Sequence, residues 1–213
     1  MPTAQQCKKI SKQLEAVEAA AQNASWFEAE RLGVQTLDQA ISAQAFDLAA
    51  SVCLPLQEAR RQRAIQAIDA AQDQVTILDT LEPEIESVDP GVYLLVPHAV
   101  GADARRLRLA GLQFEVPVLA VCREPDTQMG AVPIVAIGAT TIRAYVDPPS
   151  GSEESLMPWV IEAQVMLGNA ALETANDEAG SIQRIEDLRA ALDSVPDHEG
   201  LQQALAETLR AAS

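Results

Sequence analysis

Apolar residues recur every three or four positions in both terminal thirds of the chain, and this periodicity predicts helices. The first predicted helix spans residues 4–21. Its apolar seam consists of Cys7, Ile10, Leu14, Val17 and Ala21. A heptad-like seam needs a partner surface, which is either another helix of this chain or the same helix of a second copy in a homodimer.

Further helices are predicted on both sides of the centre. The N-terminal third continues with residues 26–43 and with a helix that starts at Asp47, while the C-terminal third contains residues 154–176, 181–195 and 197–212. Pro55 lies within the third helical pattern. Because proline lacks a backbone donor and clashes with the preceding turn, we expect it to kink or restart that helix.

The central third shows short β-branched runs bounded by turn residues, which are typical of strands. Five strands are predicted, at residues 75–79, 92–97, 116–122, 132–137 and 141–146. Residues 102–114 between the second and third have helical spacing, so these two strands are expected to be parallel with a crossover helix. Only residues 138–140 separate the last two, which predicts an antiparallel hairpin.

Composition divides the chain in the same places, since eight of its 12 prolines fall between residues 83 and 149. The fold class predicted is α/β (α+β), with a small mixed five-stranded sheet flanked by N- and C-terminal helical hairpins. The predicted segments are a helical region at 1–74, an α/β domain at 75–150 and an acidic helical region at 151–213.

Two distant stretches share a pattern at an offset of 135 residues. The matched residues are Leu32-Gly33 with Leu167-Gly168, Leu37 with Leu172, Asp38 with Glu173, and Ala40 with Ala175. Each block also opens with a tryptophan, Trp26 or Trp159. Together with Phe46 and Ala49, this pattern resembles tetratricopeptide-type helical hairpins. The resemblance implies a concave helical surface that holds peptides.

The formal net charge of −16 disfavours binding to nucleic acids and to anionic membranes. The chain has no apolar run near 20 residues and no secretory signal after its first methionine, so we expect a cytoplasmic protein. Cys7, Cys53 and Cys122 are too far apart in sequence for a CxxC pair, which predicts reduced thiols. His98 and His198 are the only histidines, and neither a metal site nor a cofactor is predicted.

Two arginine triplets stand out in so acidic a chain. The first comprises Arg60, Arg61 and Arg63, and the second comprises Arg105, Arg106 and Arg108. In one interpretation they form internal ion pairs, with Glu58 and Asp103 one turn earlier and with the acidic C-terminal helices. In the other they face outward and bind a phosphate or an acidic partner, for which guanidinium groups are suited.

A candidate ligand pocket is predicted where the parallel strands end, because ligands of open α/β sheets bind at that edge. Its residues are Asp79, His98, Gly101, Arg123 and Glu124. Gly101 begins the crossover helix, whose first N–H groups are available to an anion unless Asp103 accepts from them. Cys122, His98 and an acid at this edge also permit a hypothesis of nucleophilic catalysis.

No complete catalytic motif accompanies these residues, and the function predicted is therefore that of a non-enzymatic cytoplasmic scaffold or adaptor. Its protein partner is not identified by the sequence. The alternative function is a small-molecule or anion-binding α/β protein, and a small enzyme is the third hypothesis.

Overall fold

The computed structural model describes residues 2–125, 130–149 and 156–213, and within them it contains seven helices and five strands. The helices are α1 (Ala4–Gln22), α2 (Trp26–Ser42), α3 (Phe46–Ala71), α4 (Gly101–Phe114), α5 (Met157–Thr174), α6 (Ile182–Ser194) and α7 (Glu199–Ala211). The strands are β1 (Val75–Leu78), β2 (Gly91–Leu95), β3 (Val118–Arg123), β4 (Val132–Ile137) and β5 (Thr141–Val146). The predicted α/β class is confirmed, as are the five strands, the crossover helix and the flanking helical hairpins. Residues 154–155 of the predicted fifth helix lie outside the described residues.

The chain forms two compact units. The first, here the helical unit, comprises Met1–Gln62, Ala175–Arg189 and Glu199–Ser213. The second, here the sheet unit, comprises Arg63–Thr174 and Ala190–His198. Both α3 and α6 contribute residues to the two units. The division of the chain into the three segments at 1–74, 75–150 and 151–213 stays a prediction.

In the helical unit, the two turns that follow α1 and α2 are structural copies of each other. Ala24 and Gln44 adopt left-handed backbone conformations with φ of 54° and 57°. The next N–H in each turn, that of Ser25 or Ala45, donates to the carbonyl of the residue five positions earlier, at 2.9 and 2.8 Å. This geometry satisfies carbonyls that the end of a helix leaves open. Each helix therefore folds back by the same local mechanism.

The seam of α1 packs within the chain, because α1 contacts α2 and buries Ile10 and Val17. Thr3 caps the helix: its hydroxyl accepts from the N–H of Gln6 at 3.2 Å, and the Gln6 side chain accepts from the N–H of Thr3 at 2.8 Å. Packing of α1 on other helices of this chain explains why Ile10 and Val17 are buried.

Helix α3 continues through Pro55, so it does not restart there, and the kink, which was the other predicted outcome, stays a prediction. Proline in a helix interior costs about 3 kcal/mol. The turns around it are buried at Val52, Cys53 and Leu56, each no more than 2 % exposed. Since each such side chain contributes about 1.5 to 3 kcal/mol on burial, packing of these turns outweighs the cost of the proline.

In the sheet unit, the strands lie in chain order from β1 to β5. β1, β2 and β3 are parallel, and β4 and β5 form the predicted antiparallel hairpin. β2 is buried along its whole length, as expected for a strand covered on both faces.

Helices α4 and α5 cover opposite faces of this sheet. Val135 belongs to the cluster that α4 buries and pairs with Arg143 of β5, so Arg143 lies on the α4 face. Arg143 and Tyr145 are exposed there, whereas Ile142, Ala144 and Val146 are buried. Because successive residues of a strand alternate between faces, α5, which packs on β5, covers the face of these three buried residues.

None of the helices within the described residues combines the length and apolar character that crossing a membrane requires.

Candidate functional site

The first arginine triplet lies on α3, and two of its members are largely inaccessible to solvent. Arg60 is 9 % exposed and Arg63 is 6 % exposed. Nε of Arg60 donates to Oε1 of Glu30 on α2 at 3.0 Å, which makes a buried ion pair within the helical unit. Arg61 is the accessible member, and its Nη2 pairs with Oε1 of Glu58 at 2.8 Å. This hydrogen bond is the main reason why the pKa of Glu58 lies below its ordinary value.

The second triplet lies on α4 in the sheet unit, where each guanidinium has a partner. Nη2 of Arg105 pairs with Asp193 at 2.9 Å, and Nη1 of Arg106 pairs with Asp103 at 3.0 Å. Arg106 also donates to the carbonyl oxygens of Glu82 and Pro83. Nη2 of Arg108 lies 3.5 Å from the carbonyl oxygen of Ile137. The geometry of both triplets favours the interpretation as internal contacts, and Asp193 belongs to the acidic C-terminal helices.

The start of α4 is adapted to close packing. A Cβ atom placed on Gly101 would lie 2.9 Å from Cγ1 of Ile137, so only glycine lets the helix approach the sheet this closely. Oδ2 of Asp103 accepts from the N–H of Val100 at 3.0 Å. The carboxylate thus places a negative charge at the positive end of the helix dipole.

The residues of the predicted ligand pocket, at the carboxyl ends of the parallel strands, differ in how far they are exposed. Asp79 and His98 are exposed after β1 and β2. Glu124 follows β3, and its Oε2 accepts from Nε of Arg143 at 3.1 Å. Arg123 is half-buried at the end of the same strand. Their role in ligand binding stays a prediction.

A small cavity lies where β3 and β4 separate. These strands pair only at Cys122 with Val135 and at Arg123 with Ile134, so the carbonyl of Ala120 lies beyond the paired region. Nε2 of Gln164 on α5 donates to that carbonyl at 3.3 Å. The cavity beside it measures about 10 Å³, which is roughly the room for one water molecule. Its lining includes Gly101, Arg105, Arg108, Gln164 and Ser194.

A wider and shallower groove lies in the helical unit, between the start of α1 and the end of α2. Its volume is about 350 Å³, and it is lined by Gln6, Lys9, Ile10, Asp38, Gln39, Ser42 and Ala43. The Asp38 carboxylate is an acceptor for the guanidinium of Arg189. Five of these seven residues are polar.

The thiol of the proposed nucleophilic set is in a poor environment for catalysis. Burial, followed by the nearby carboxylates of Glu124 and Asp103, raises the pKa of Cys122 to about 12. Burial also raises the pKa of Cys53 to about 12, despite the opposing charges of Arg210 and Arg60. A thiol with such a pKa is almost entirely protonated at neutral pH, and the protonated form is a weak nucleophile. Cys7 is half-buried, and all three cysteines are free.

One surface was missed by the sequence reasoning, which treated β5 only as half of a hairpin. β5 is the last strand of the sheet, and within the described residues no strand pairs with its outer side. Tyr145 is 49 % exposed on it, and Ile161 and Val165 of the neighbouring α5 are 39 % and 46 % exposed. The two α5 residues are one helical turn apart and therefore adjacent. The β5–α5 surface is defined here as the outer side of β5, with Tyr145 on the α4 face of the sheet and with Ile161 and Val165 on the helix that covers the other face. The sequence contained one signal of this surface. Ile161 and Val165 are apolar, but they lie outside the buried stripe of α5.

No protein-family model matches the chain, and neither the curated proteins nor the solved structures include a significantly similar one.

The two glycines in the tetratricopeptide-like pattern have different neighbours. A Cβ placed on Gly33 would lie 3.2 Å from Cδ1 of Leu56, which is a tight contact between α2 and α3. A Cβ placed on Gly168 would lie 2.0 Å from Cγ of His198 and would overlap with the imidazole ring. The two blocks therefore differ in the side chain that packs against the glycine, which is Leu56 in the first block and His198 in the second.

Proposed function

We propose that this protein is a non-enzymatic scaffold or adaptor that acts through protein–protein contact at the β5–α5 surface. The observation that carries the proposal is the combination of an outer strand, whose outer side pairs with no strand in the described part of the chain, with exposed apolar side chains on the helix that covers it. An outer strand offers a row of backbone donors and acceptors to another chain, and adjacent apolar side chains add burial on contact.

The two edges of the sheet differ in a way that supports this choice. β1, at the other edge, has only four residues and leads into an acidic segment that contains Asp79, Glu82, Glu84, Glu86 and Asp89. Short strands and charges are the features with which proteins protect an edge from unwanted pairing. β5 has six residues, which include Ile142, Tyr145 and Val146, and it ends before Pro148. β5 is thus the edge that is suited to binding.

The properties of the thiols support association rather than covalent catalysis. Cys122 and Cys53 are the buried thiols of the chain, and the pKa of each is about 12. Three free thiols also fit a reducing compartment such as the cytoplasm, which is part of the proposal.

The anion-binding alternative has less support from the geometry. The guanidiniums of Arg105 and Arg106 already pair with carboxylates, and the cavity beside Gly101 has room for about one water molecule. We expect a thermal-shift screen of phosphates, nucleotides and acyl anions to leave the midpoint of unfolding unchanged. A midpoint that rises with ligand concentration would favour the alternative, because a ligand that binds the folded state stabilises it.

The proposal is tested by substituting Val165 with glutamate, because a charge there opposes burial of the β5–α5 surface against a partner. The tagged protein is incubated in a lysate of its source cells, together with a copy that carries a different tag, and the captured proteins are quantified by mass spectrometry. We expect the wild type to retain a reproducible protein, including the second copy as one candidate, and Val165→Glu to lose it. Leu54→Glu is the matched control, since Leu54 is an exposed helical leucine (71 %) in the helical unit. Equal capture by both variants would contradict the proposal.

A further inference from the structure

We propose that one water molecule binds between β3 and β4 and takes the place of a missing step in the ladder of these two strands. The site lies within the sheet unit, where the parallel strands meet the β4–β5 hairpin. It is independent of the β5–α5 surface, since it concerns how two parts of the sheet are joined. The backbone groups that face the gap and the volume of the cavity between them carry the proposal.

Alternate residues of β3 and β4 turn their backbone groups towards each other. The N–H of Glu124, directly after β3, donates to the carbonyl oxygen of Pro133 on β4 at 2.8 Å. Neighbouring residues of a strand direct their N–H and C=O groups to opposite sides, so every second residue before Glu124 and after Pro133 faces the same seam. In the register of the two strands, Ala120 and Ile137 are the residues that would face each other at the next step but one.

The pair of Ala120 and Ile137 is not formed, because β3 and β4 separate before it. Side chains approach its two carbonyl oxygens instead. Nε2 of Gln164 donates to the carbonyl oxygen of Ala120 at 3.3 Å, and Nη2 of Arg108 lies 3.5 Å from that of Ile137. The N–H groups of Ala120 and Ile137 point into the same gap, without the acceptors that the ladder would have given them. Since backbone N–H groups inside proteins are nearly always paired, we expect an acceptor in the gap.

The cavity in the gap has the size and the lining of a site for water. It measures about 10 Å³, and its lining includes Ala120, Ile137 and Gln164. A water molecule accepts from both N–H groups and still donates to Oε1 of Gln164, the other atom of the amide whose Nε2 binds Ala120. These three groups are within the roughly two to four polar partners that bound water needs. A halide ion could accept from the N–H groups but could not donate to the amide oxygen.

The water strengthens a seam with little direct pairing. Strands β3 and β4 pair only at Cys122 and Arg123 of β3, whereas β4 pairs with β5 along its whole length. The water adds one bridge between β3 and β4. Through Gln164 it also connects α5 to the point where the strands separate.

A crystal structure of the wild type, at a resolution that shows ordered water, tests the site directly. We expect one peak in the gap, about 2.7 to 3.2 Å from the backbone nitrogen atoms of Ala120 and Ile137. Direct pairing of these two residues, or a gap without such a peak, would overturn the proposal. So would a peak that gains an anomalous signal in crystals grown with bromide, because the occupant would then be an anion.

Nuclear magnetic resonance tests the same site in solution through the nuclear Overhauser effect between water and amide protons. We expect the amide protons of Ala120 and Ile137 to show this effect with the sign of a water that tumbles with the protein. The amide protons of Val121 and Ala136 are the internal control, because these residues face β2 and β5 and should show none. A wild type without the effect at Ala120 and Ile137 would contradict the proposal.

The hydroxyl of Ser194 also lines the cavity, and its proton exchanges with water. The measurement is therefore repeated on Ser194→Ala. We expect the effect at Ala120 and Ile137 to persist in this variant. Its disappearance would assign the effect to the hydroxyl proton and would count against a bound water.

A larger side chain in the cavity is expected to displace the water. Ala104 is buried on α4 and lines the cavity, so Ala104→Val adds two methyl groups beside the gap. We expect this variant to lose the effect at Ala120 and Ile137. Ala110→Val is the matched control and should keep it, since Ala110 is buried on the same helix but is not part of the lining. An effect that survives equally in both variants would place the water elsewhere and overturn the site.

Discussion

The Nε atom of Arg60 donates to Oε1 of Glu30 at 3.0 Å, and the two side chains, 30 positions apart in the sequence, are only 10 % and 6 % exposed. A charged pair in such surroundings has lost most of its hydration, so each member depends on the other. Arg60, the first residue of this arginine triplet, thus has a structural role inside the helical unit.

Replacing Arg60 with methionine is therefore expected to destabilise the protein by about 3 to 5 kcal/mol, because it leaves the Glu30 carboxylate buried without this partner. The double variant Glu30→Leu/Arg60→Met is expected to recover most of the loss, since no buried charge then remains from this pair. The free energy of unfolding in urea measures both. Arg61→Met serves as control and is expected to change little, because its ion pair with Glu58 is on the surface. An Arg60→Met protein as stable as the wild type would show that the pair does not matter.

Gln202 on α7 is 1 % exposed, and in the described part of the chain neither atom of its amide group has a hydrogen-bond partner. A buried polar group without a partner costs about 1 to 3 kcal/mol. Gln202→Leu is accordingly expected to raise the free energy of unfolding by about 1 kcal/mol or more, because it removes that cost and keeps a similar volume. The neighbouring Gln203 is exposed, and Gln203→Leu should leave stability within about 0.5 kcal/mol of the wild type. A loss of stability in Gln202→Leu alone would mean that the amide is satisfied by bound water.

In the sheet unit, the imidazole ring of His198 fills the space that a side chain on Gly168 would need, since a Cβ on Gly168 would lie 2.0 Å from Cγ of the ring. Gly168→Ala is expected to destabilise the protein by about 1 to 3 kcal/mol through overpacking. His198→Ala removes the ring, so the double variant should be more stable than the sum of the two single effects predicts, by about 1 kcal/mol or more. A double-mutant cycle from chemical unfolding measures this coupling, and strict additivity would contradict the contact.

The two buried thiols predict a loss of stability at high pH. Their pKa is about 12 in the folded protein against an ordinary value of 9.0, so the folded state holds the proton more tightly than the unfolded state. Their contribution is complete below pH 9 and is lost as the pH rises towards 12. The slope approaches about 1.4 kcal/mol per pH unit for each thiol.

The measurement compares the wild type with Cys53→Ala/Cys122→Ala by urea unfolding at a series of pH values. The stability difference between them should shrink as the pH rises above 9.0. At neutral pH, a thiol reagent should modify Cys7 in the folded protein and reach Cys53 and Cys122 only after unfolding. Rapid reaction of Cys122 in the folded state would revive the nucleophile hypothesis.

Much of the secondary structure could be predicted because it depends on local patterns. The spacing of Ile10 and Val17 predicted both the bounds of α1 and its buried face, and the short loop at 138–140 predicted the β4–β5 hairpin. Pairs one turn apart, such as Glu58 with Arg61 and Asp103 with Arg106, also follow from helical geometry. At Pro55 the helix does not restart, because burial on both sides of the proline holds it together.

Contacts between residues that are distant in the sequence were decided by the tertiary structure alone. A charged residue pairs with whatever opposite charge packing brings near, and nothing in the order of residues relates Arg60 to Glu30 or Arg105 to Asp193. The same holds for the reach of Gln164 to the carbonyl of Ala120, which exists because β3 and β4 separate there. The sequence by itself determined which segments become helices and strands, because those depend on neighbours within a few residues. Only the folded sheet decided that β5 is an outer strand next to exposed residues of α5, because strand order is a property of long-range pairing.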